Sequence, residues 1–411
     1  MRTRIICLLL TALLTACAGM SRSSGGSEEK EGPVARLWRI NAAQRDFERL
    51  TREGTTLASD GALELDAAAR PGATPFPSAG QPDAPVIATY RVGTAVLAEQ
   101  PIAEGFTSAV PSLEALTPPG TWVRVTLSAR VEGTWTKDYD FGPWAFDKGT
   151  VSRRSVSGQE DSHGNVLTDT LVLKQPADAV RMTVWLYSTQ PEVSPRVRAL
   201  SLAVSDKERT PVDGPSDGAT WGTVLEVPGL SQMIYPNGGP VWCSPTSTTM
   251  VLGYWARKLG RPELAHTVPT AAEHTYDEVY AGTGNWSFNT AYGSAMGGGA
   301  LHGMVARFDS FAQVERFIAA GIPVIISIAY KPGTLTGGAS YSSNGHLIVV
   351  KGFSPQGDVV VNDPAFPSDD KVEMTYRRDE LWRAWRHSGG AAYLFWPQGT
   401  SLPEGALSAV P

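Results

Sequence analysis

The chain has 411 residues and a formal net charge of -6, with 35 Lys/Arg against 41 Asp/Glu. No Lys/Arg cluster stands in the folded part, which argues against nucleic acid as a partner. The length predicts two to three domains, and 42 Gly with 30 Pro point to strands and loops rather than a helical bundle.

Residues 1–16 read as an export signal: Met1-Arg2-Thr3-Arg4 gives the positive flank, and Ile5 to Ala16 is apolar but too short for a spanning helix. Leu14-Thr15-Ala16-Cys17 resembles the bacterial lipobox, which implies lipidation of Cys17; a secretory signal cut near Ala18 is the alternative. Residues 17–33 are too polar to pack and read as a flexible tether. The expected location is therefore the bacterial cell envelope, with the chain exported and lipid-anchored to the membrane, or else secreted. Only three cysteines occur, Cys7, Cys17 and Cys243, so Cys243 has no partner in the folded chain and is expected to be a free thiol.

Residues 34–205 carry short alternating strands. Trp122–Leu127 and Arg181–Leu186 are the clearest, followed by Thr170–Leu173 and Ala199–Val204. They predict an antiparallel β-sandwich of the jelly-roll kind. Trp135, Tyr139, Phe141, Trp144 and Phe146 are dense enough for a carbohydrate platform, and Asp138, Asp140 and Asp147 for calcium. Core aromatics and solvated loop acids are the favoured reading. A cell-wall glycan or a protein is the possible ligand of this module. Residues 206–222, with Pro211, Gly214, Pro215 and Gly218, form a linker. Its Gly214-Pro215-Ser216-Asp217-Gly218 spells a serine nucleophile elbow, but lacks the strand before and helix after that the motif requires.

Residues 223–400 form an α+β domain, with 401–411 as a tail. A strand at Val224–Val227 and a loop through Asn237-Gly238-Gly239-Pro240 lead to a helix at Ser247–Leu259. Ser310 and Gln313 make a capping box for a second helix, which Gly321 and Pro323 stop. Strands follow at Pro323–Tyr330, His346–Phe353, Asp358–Asn362 and Ala392–Trp396, with a helix near Arg378–Trp385.

Cys243 precedes Ser244-Pro245 and so sits at a helix start, where the dipole favours thiolate by roughly 0.3–1 kcal/mol. That is too little to activate a thiol without an imidazole. His346 opens an apolar strand, and a hairpin turning near Pro355 and Gln356 places Asp363 opposite Ile348, within reach of the ring. Asn362 is the fallback partner, and His302 and His387 are rival bases. Gln232 can set its amide beside the Cys243 N–H as an oxyanion donor. Trp242, Trp286, Asn289 and Asn344 are candidate substrate contacts. Trp286, Phe288 and Asn289 fall in a Gly-rich loop that either lines a cleft or packs, and His274 with Asp277 reads as structural. No His/Cys pair has ligand spacing, so neither a metal nor a cofactor is expected.

Gln232, the Trp242-Cys243-Ser244-Pro245-Thr246 run, Asn344-Gly345-His346 and Asn362-Asp363-Pro364 together resemble the papain-like peptidases related to the double-glycine leader peptidases, family thirty-nine of the cysteine peptidases. The likeness covers about 224–397. It implies a papain-like fold, with Cys243 as nucleophile, His346 as base, Asp363 as orienting carboxylate and Gln232 as oxyanion donor, acting on a peptide or protein. Ser244 stands where the transporter-linked members commonly have Gly. A cell-wall amidase or transpeptidase of the same fold, or an inactive binding lipoprotein, are the alternatives.

Overall fold

A computed structural model describes residues 35–405 and 407, apart from 75, 78–85, 148, 207–208 and 210–212. The export signal, Cys7, Cys17, the tether and Pro211 lie outside the described residues.

The N-terminal module is antiparallel throughout, and each predicted strand is present in a longer form. Thr121–Val131 and Arg91–Leu116 flank Thr170–Ser188 on its two edges. Arg91–Leu116 runs 26 residues, long enough to serve two neighbours in turn: its first part pairs with Thr170–Ser188 and its last nine residues with Arg196–Ser205. Ala35–Asn41 closes the far edge of Arg196–Ser205. Twelve strands are thereby joined in one hydrogen-bonded network. The period of two decides the faces: Val123, Val125 and Leu127 enter the core with Val180, Met182, Val184 and Leu186, each burial contributing roughly 1.5–3 kcal/mol. Trp122 and Tyr187 stack on the opposite face, 5.0 Å apart and nearly parallel.

The C-terminal half holds a six-stranded antiparallel sheet in the order Leu301–Arg307, Ala391–Pro397, Val324–Tyr330, Ser343–Phe353, Val359–Asn362, Glu373–Tyr376. Against it lie α1 (Cys243–Leu259), α2 (Val268–Thr275), α3 (Trp286–Gly299), α4 (Phe311–Ala319) and α5 (Arg378–Arg386). The α4 capping box forms as the sequence predicts, Ser310 accepting from the Gln313 N–H while the Gln313 side chain accepts from Ser310 N–H. The expectation fails at α3. Four glycines suggested a loop, yet Asn285 caps a helix by accepting from the Phe288 N–H. Gly293 serves packing there, since a Cβ would stand 2.3 Å from the Phe395 ring. Only at Met296–Gly298 does the backbone leave helical angles.

The two halves share one interior. Leu37, Val110 and Ala203 join the C-terminal core, while Phe288, Ala291 and Ala295 of α3 enter the N-terminal one. The exposed edge of Leu301–Arg307 is covered by the module, with the Val305 N–H donating to Ser112 and the Gly303 N–H to Glu114. Glu114 is buried and balanced by Arg39 at 2.6 Å, Arg198 at 3.8 Å and the His302 ring at 3.1 Å. The linker's described part is strapped down as well: Asp213 accepts from the Phe311 N–H and Arg378, and Ser216 donates to Glu315. Among the described residues no helix is long and apolar enough to cross a membrane.

Candidate active site

Cys243 is the first residue of α1, and Trp242 before it holds a non-helical conformation with its N–H on the Gly239 carbonyl. The amide groups at the head of a helix lack internal acceptors, so the Ser244 N–H is available to the sulfur. Ser247, one turn on, donates to the Leu347 carbonyl at 2.9 Å and fixes the helix against the strand that bears His346. That strand pairs with Val359–Asn362 in the register the hairpin implies, Val349 opposite Asn362 and Val350 opposite Val361. The extension of this pairing brings Asp363 beside His346. The Nε2–H of His346 donates to Asp363 Oδ1 at 2.7 Å, and both side chains are buried. The other ring nitrogen is left for Cys243, whose charge and that of the imidazole favour one another. Cys243 keeps part of its surface open to solvent and has no disulfide.

Electrostatics couple the three. Burial by itself would push the Cys243 thiol up, but the hydrogen bond and charge of His346, with the N–H groups of Leu347 and Ser244, outweigh it and hold the thiol below its usual range. Burial would likewise lower His346. Asp363 and the sulfur instead raise it to about 10. Asp363 is kept low, against burial, by His346, the Tyr376 hydroxyl and the Ala365 N–H. Both shifts act in one direction, toward charge on the sulfur and on the ring. Tyr376, whose hydroxyl donates to Asp363 Oδ2 at 2.7 Å, escaped sequence reading because it lies on Glu373–Tyr376, a strand not recognised there.

Gln232 is buried in the loop before Cys243. Its backbone N–H reaches the Pro364 carbonyl at 2.9 Å, and its side-chain amide donates to the Gly239 carbonyl at 2.7 Å, which fixes which end is nitrogen. Its side-chain oxygen is buried with no partner among the described residues. Trp242 lies beside Tyr235, ring centroids 5.9 Å apart, and faces a groove shared with Tyr276 and Thr283. Trp286 and Asn344 line a second cavity of 670 Å³ together with Tyr280.

Other candidates are placed elsewhere. Asn289 is fully buried on α3 and donates to the carbonyls of Thr283 and Asn285, so it secures the helix and does not reach a groove. Asn362 donates to the carbonyls of Val227 and Pro228 rather than to His346. His302 is held in the module interface by Glu114, and His387, at the end of α5, is exposed. Asp277 accepts from Ser155, Val279, Tyr280 and Asn285, a structural knot between the halves. Tyr139, Phe141 and Trp144 are buried in the module core, and Trp135 lies under Arg181, which leaves no open aromatic platform at these positions.

A thiol at the head of a helix, facing a histidine on an antiparallel sheet, is the arrangement of the papain-like fold. Residues 37–205 match the family described as Peptidase C39 N-terminal domain, and residues 224–393 match the Peptidase_C39 like family. The chain is thus related, through both of its halves, to the family-39 cysteine peptidases. No curated protein matches it.

Proposed function

We propose that the protein is an extracytoplasmic cysteine peptidase that hydrolyses peptide or isopeptide bonds through Cys243, His346 and Asp363. The observation that carries this reading is the coupled pair, a thiol held below and an imidazole held above their usual ranges by one buried carboxylate. The thiolate attacks the carbonyl carbon, and charge moves to the carbonyl oxygen. The Cys243 backbone N–H and the side-chain amide of Gln232 are the donors for that oxyanion; losing one such donor costs about 10²–10³ in rate. The ring nitrogen facing sulfur then gives its proton to the amine nitrogen as the C–N bond breaks, leaving a thioester. Water attacks the thioester as His346 takes its proton, and the acid product leaves with the thiolate restored. Asp363 holds the ring and its positive charge throughout.

On this reading the proton resides on His346 before substrate arrives, so the imidazole acts first as an acid. The N-terminal module is read as a jelly-roll-like sandwich and Cys17 as the lipid anchor. Metabolic labelling with a fatty-acid analogue, lost in Cys17→Ala, tests the anchor. The decisive experiment is mass-spectrometric detection of cleavage in a denatured protein mixture by the wild-type chain and by Cys243→Ala. Cleavage that persists in the variant would sink the proposal. Release of stem peptides from purified sacculi, with no cleavage of proteins, would move the same thiol chemistry to the amidase reading.

A further inference from the structure

Large apolar side chains exposed to water are distributed unevenly over this surface. Ile234 and Val241 stand on the loop between Gln232 and Cys243, Tyr280 on the loop before α3, and Tyr341 just ahead of the His346 strand. The Thr283 hydroxyl donates to the Val241 carbonyl at 3.4 Å, so two of these loops abut. Tyr280 and Tyr341 both lie close enough to feel the charge of Cys243. Asn344, two residues ahead of His346 on the same strand, shares a cavity with Tyr280, and apolar side chains gathered beside such a cavity signal a binding surface.

One exposed apolar residue at this cavity comes from the other half of the chain. Leu167, at the tip of the hairpin formed by Gly164–Leu167 and Thr170–Leu173, is 57% exposed and lines the same cavity as Tyr280, Trp286 and Asn344. The tip is strained. Thr168 holds φ of 60° and the Asp169 N–H donates to the Leu167 carbonyl at 2.7 Å, a three-residue turn that a β-branched residue rarely adopts. Asp169 keeps it in place from below: its buried carboxylate accepts from the Trp286 N–H at the start of α3 and from the Thr170 hydroxyl. Strain over-determined by its surroundings marks sites where a side chain is aimed.

We infer that the N-terminal module supplies one wall of the substrate groove, and that Leu167 is a specificity-determining residue favouring a bulky apolar side chain beside the scissile bond. This rests on the thiol chemistry proposed above. The module then acts in substrate selection as part of the peptidase, not as a separate ligand-binding appendage. Apolar contact of this kind is worth roughly tenfold or more in selectivity.

The test uses the full chain and three thiol reagents: iodoacetamide, the chloromethyl ketone of blocked phenylalanine, and that of blocked glycine. Normalised to iodoacetamide, the phenylalanine reagent should label wild-type Cys243 faster than the glycine reagent. Leu167→Asp should lower that ratio about tenfold, while Leu167→Met keeps it and neither changes the iodoacetamide rate. A ratio untouched by Leu167→Asp, or no preference in the wild type, overturns the inference and leaves the thiol chemistry standing. A native wild-type chain that iodoacetamide does not label overturns both.

Discussion

Replacing Asp363 with Asn removes one charge while keeping shape and an oxygen to accept from His346. Two unit charges about 4 Å apart attract by roughly 4 kcal/mol at an effective dielectric of 20, which is about three pH units. Burial pulls the other way, and the charge of Asp363, its hydrogen bond and the sulfur together overcome it to raise His346 from 6.5 to about 10. In the wild type the imidazolium persists until pH rises through about 10, and the thiolate persists until pH falls through the lowered Cys243 value. Activity should therefore form a broad bell whose alkaline limb belongs to His346. In Asp363→Asn that limb should move down by about two to three units. The acid limb should move up, because the thiolate has lost part of its counter-ion. The assay is the second-order rate of iodoacetamide alkylation across pH, which reads thiolate alone, alongside turnover of a cleaved peptide. An alkylation profile for Asp363→Asn that superimposes on the wild type would refute the coupling, and with it the account of how the thiol is activated.

Glu114→Ala should destabilise the protein by about 3–5 kcal/mol in denaturant unfolding, since it strands Arg39 and Arg198 beside His302. Both halves should unfold in one transition because their cores interpenetrate. Asp169 is raised by burial from 3.8 to about 6, so its charge costs stability at neutral pH. Asp169→Asn should melt no lower than wild type at pH 7.5, the advantage fading as pH falls through about 6 and gone below about 4, whereas Asp169→Ala, which uncaps Trp286, should melt lower. Gly239→Ala places a Cβ 2.3 Å from the Gln232 carbonyl oxygen. It should cut turnover at least about tenfold through the oxyanion donor, with iodoacetamide labelling of Cys243 little changed; equal losses in both would contradict the separate role of that loop.

Local rules served well where neighbours in sequence are neighbours in space. The capping box at Ser310 and Gln313 and the hairpin that carries His346 and Asp363 follow from side-chain chemistry and a period of two. They misled where distant packing overrode composition. A run with Gly293 and three successive glycines from Gly297 looked like loop, but the Phe395 ring needs the space a glycine leaves, and α3 forms on that account. Asn289, taken as a groove residue, turned inward with the helix. Tyr376 and Leu167 carried no local signal, since each acquires its place from a strand or turn in another part of the chain.

The sequence alone determined that a single unpaired cysteine would head a helix, because Ser244-Pro245 and the absence of a second folded cysteine depend only on nearby residues. It also set which strand ends would meet, since pairing across a short turn leaves one register that buries the apolar face. Tertiary structure decided the proton affinities at the site. The charge state of Cys243 and His346 is a balance between burial and the field of Asp363, itself held by Tyr376, and burial exists only once the sheet, α1 and the surrounding loops have closed around them. The cavity lined by Leu167, Tyr280, Trp286 and Asn344 is likewise a property of the whole, its walls coming from both halves of the chain over a core that they share.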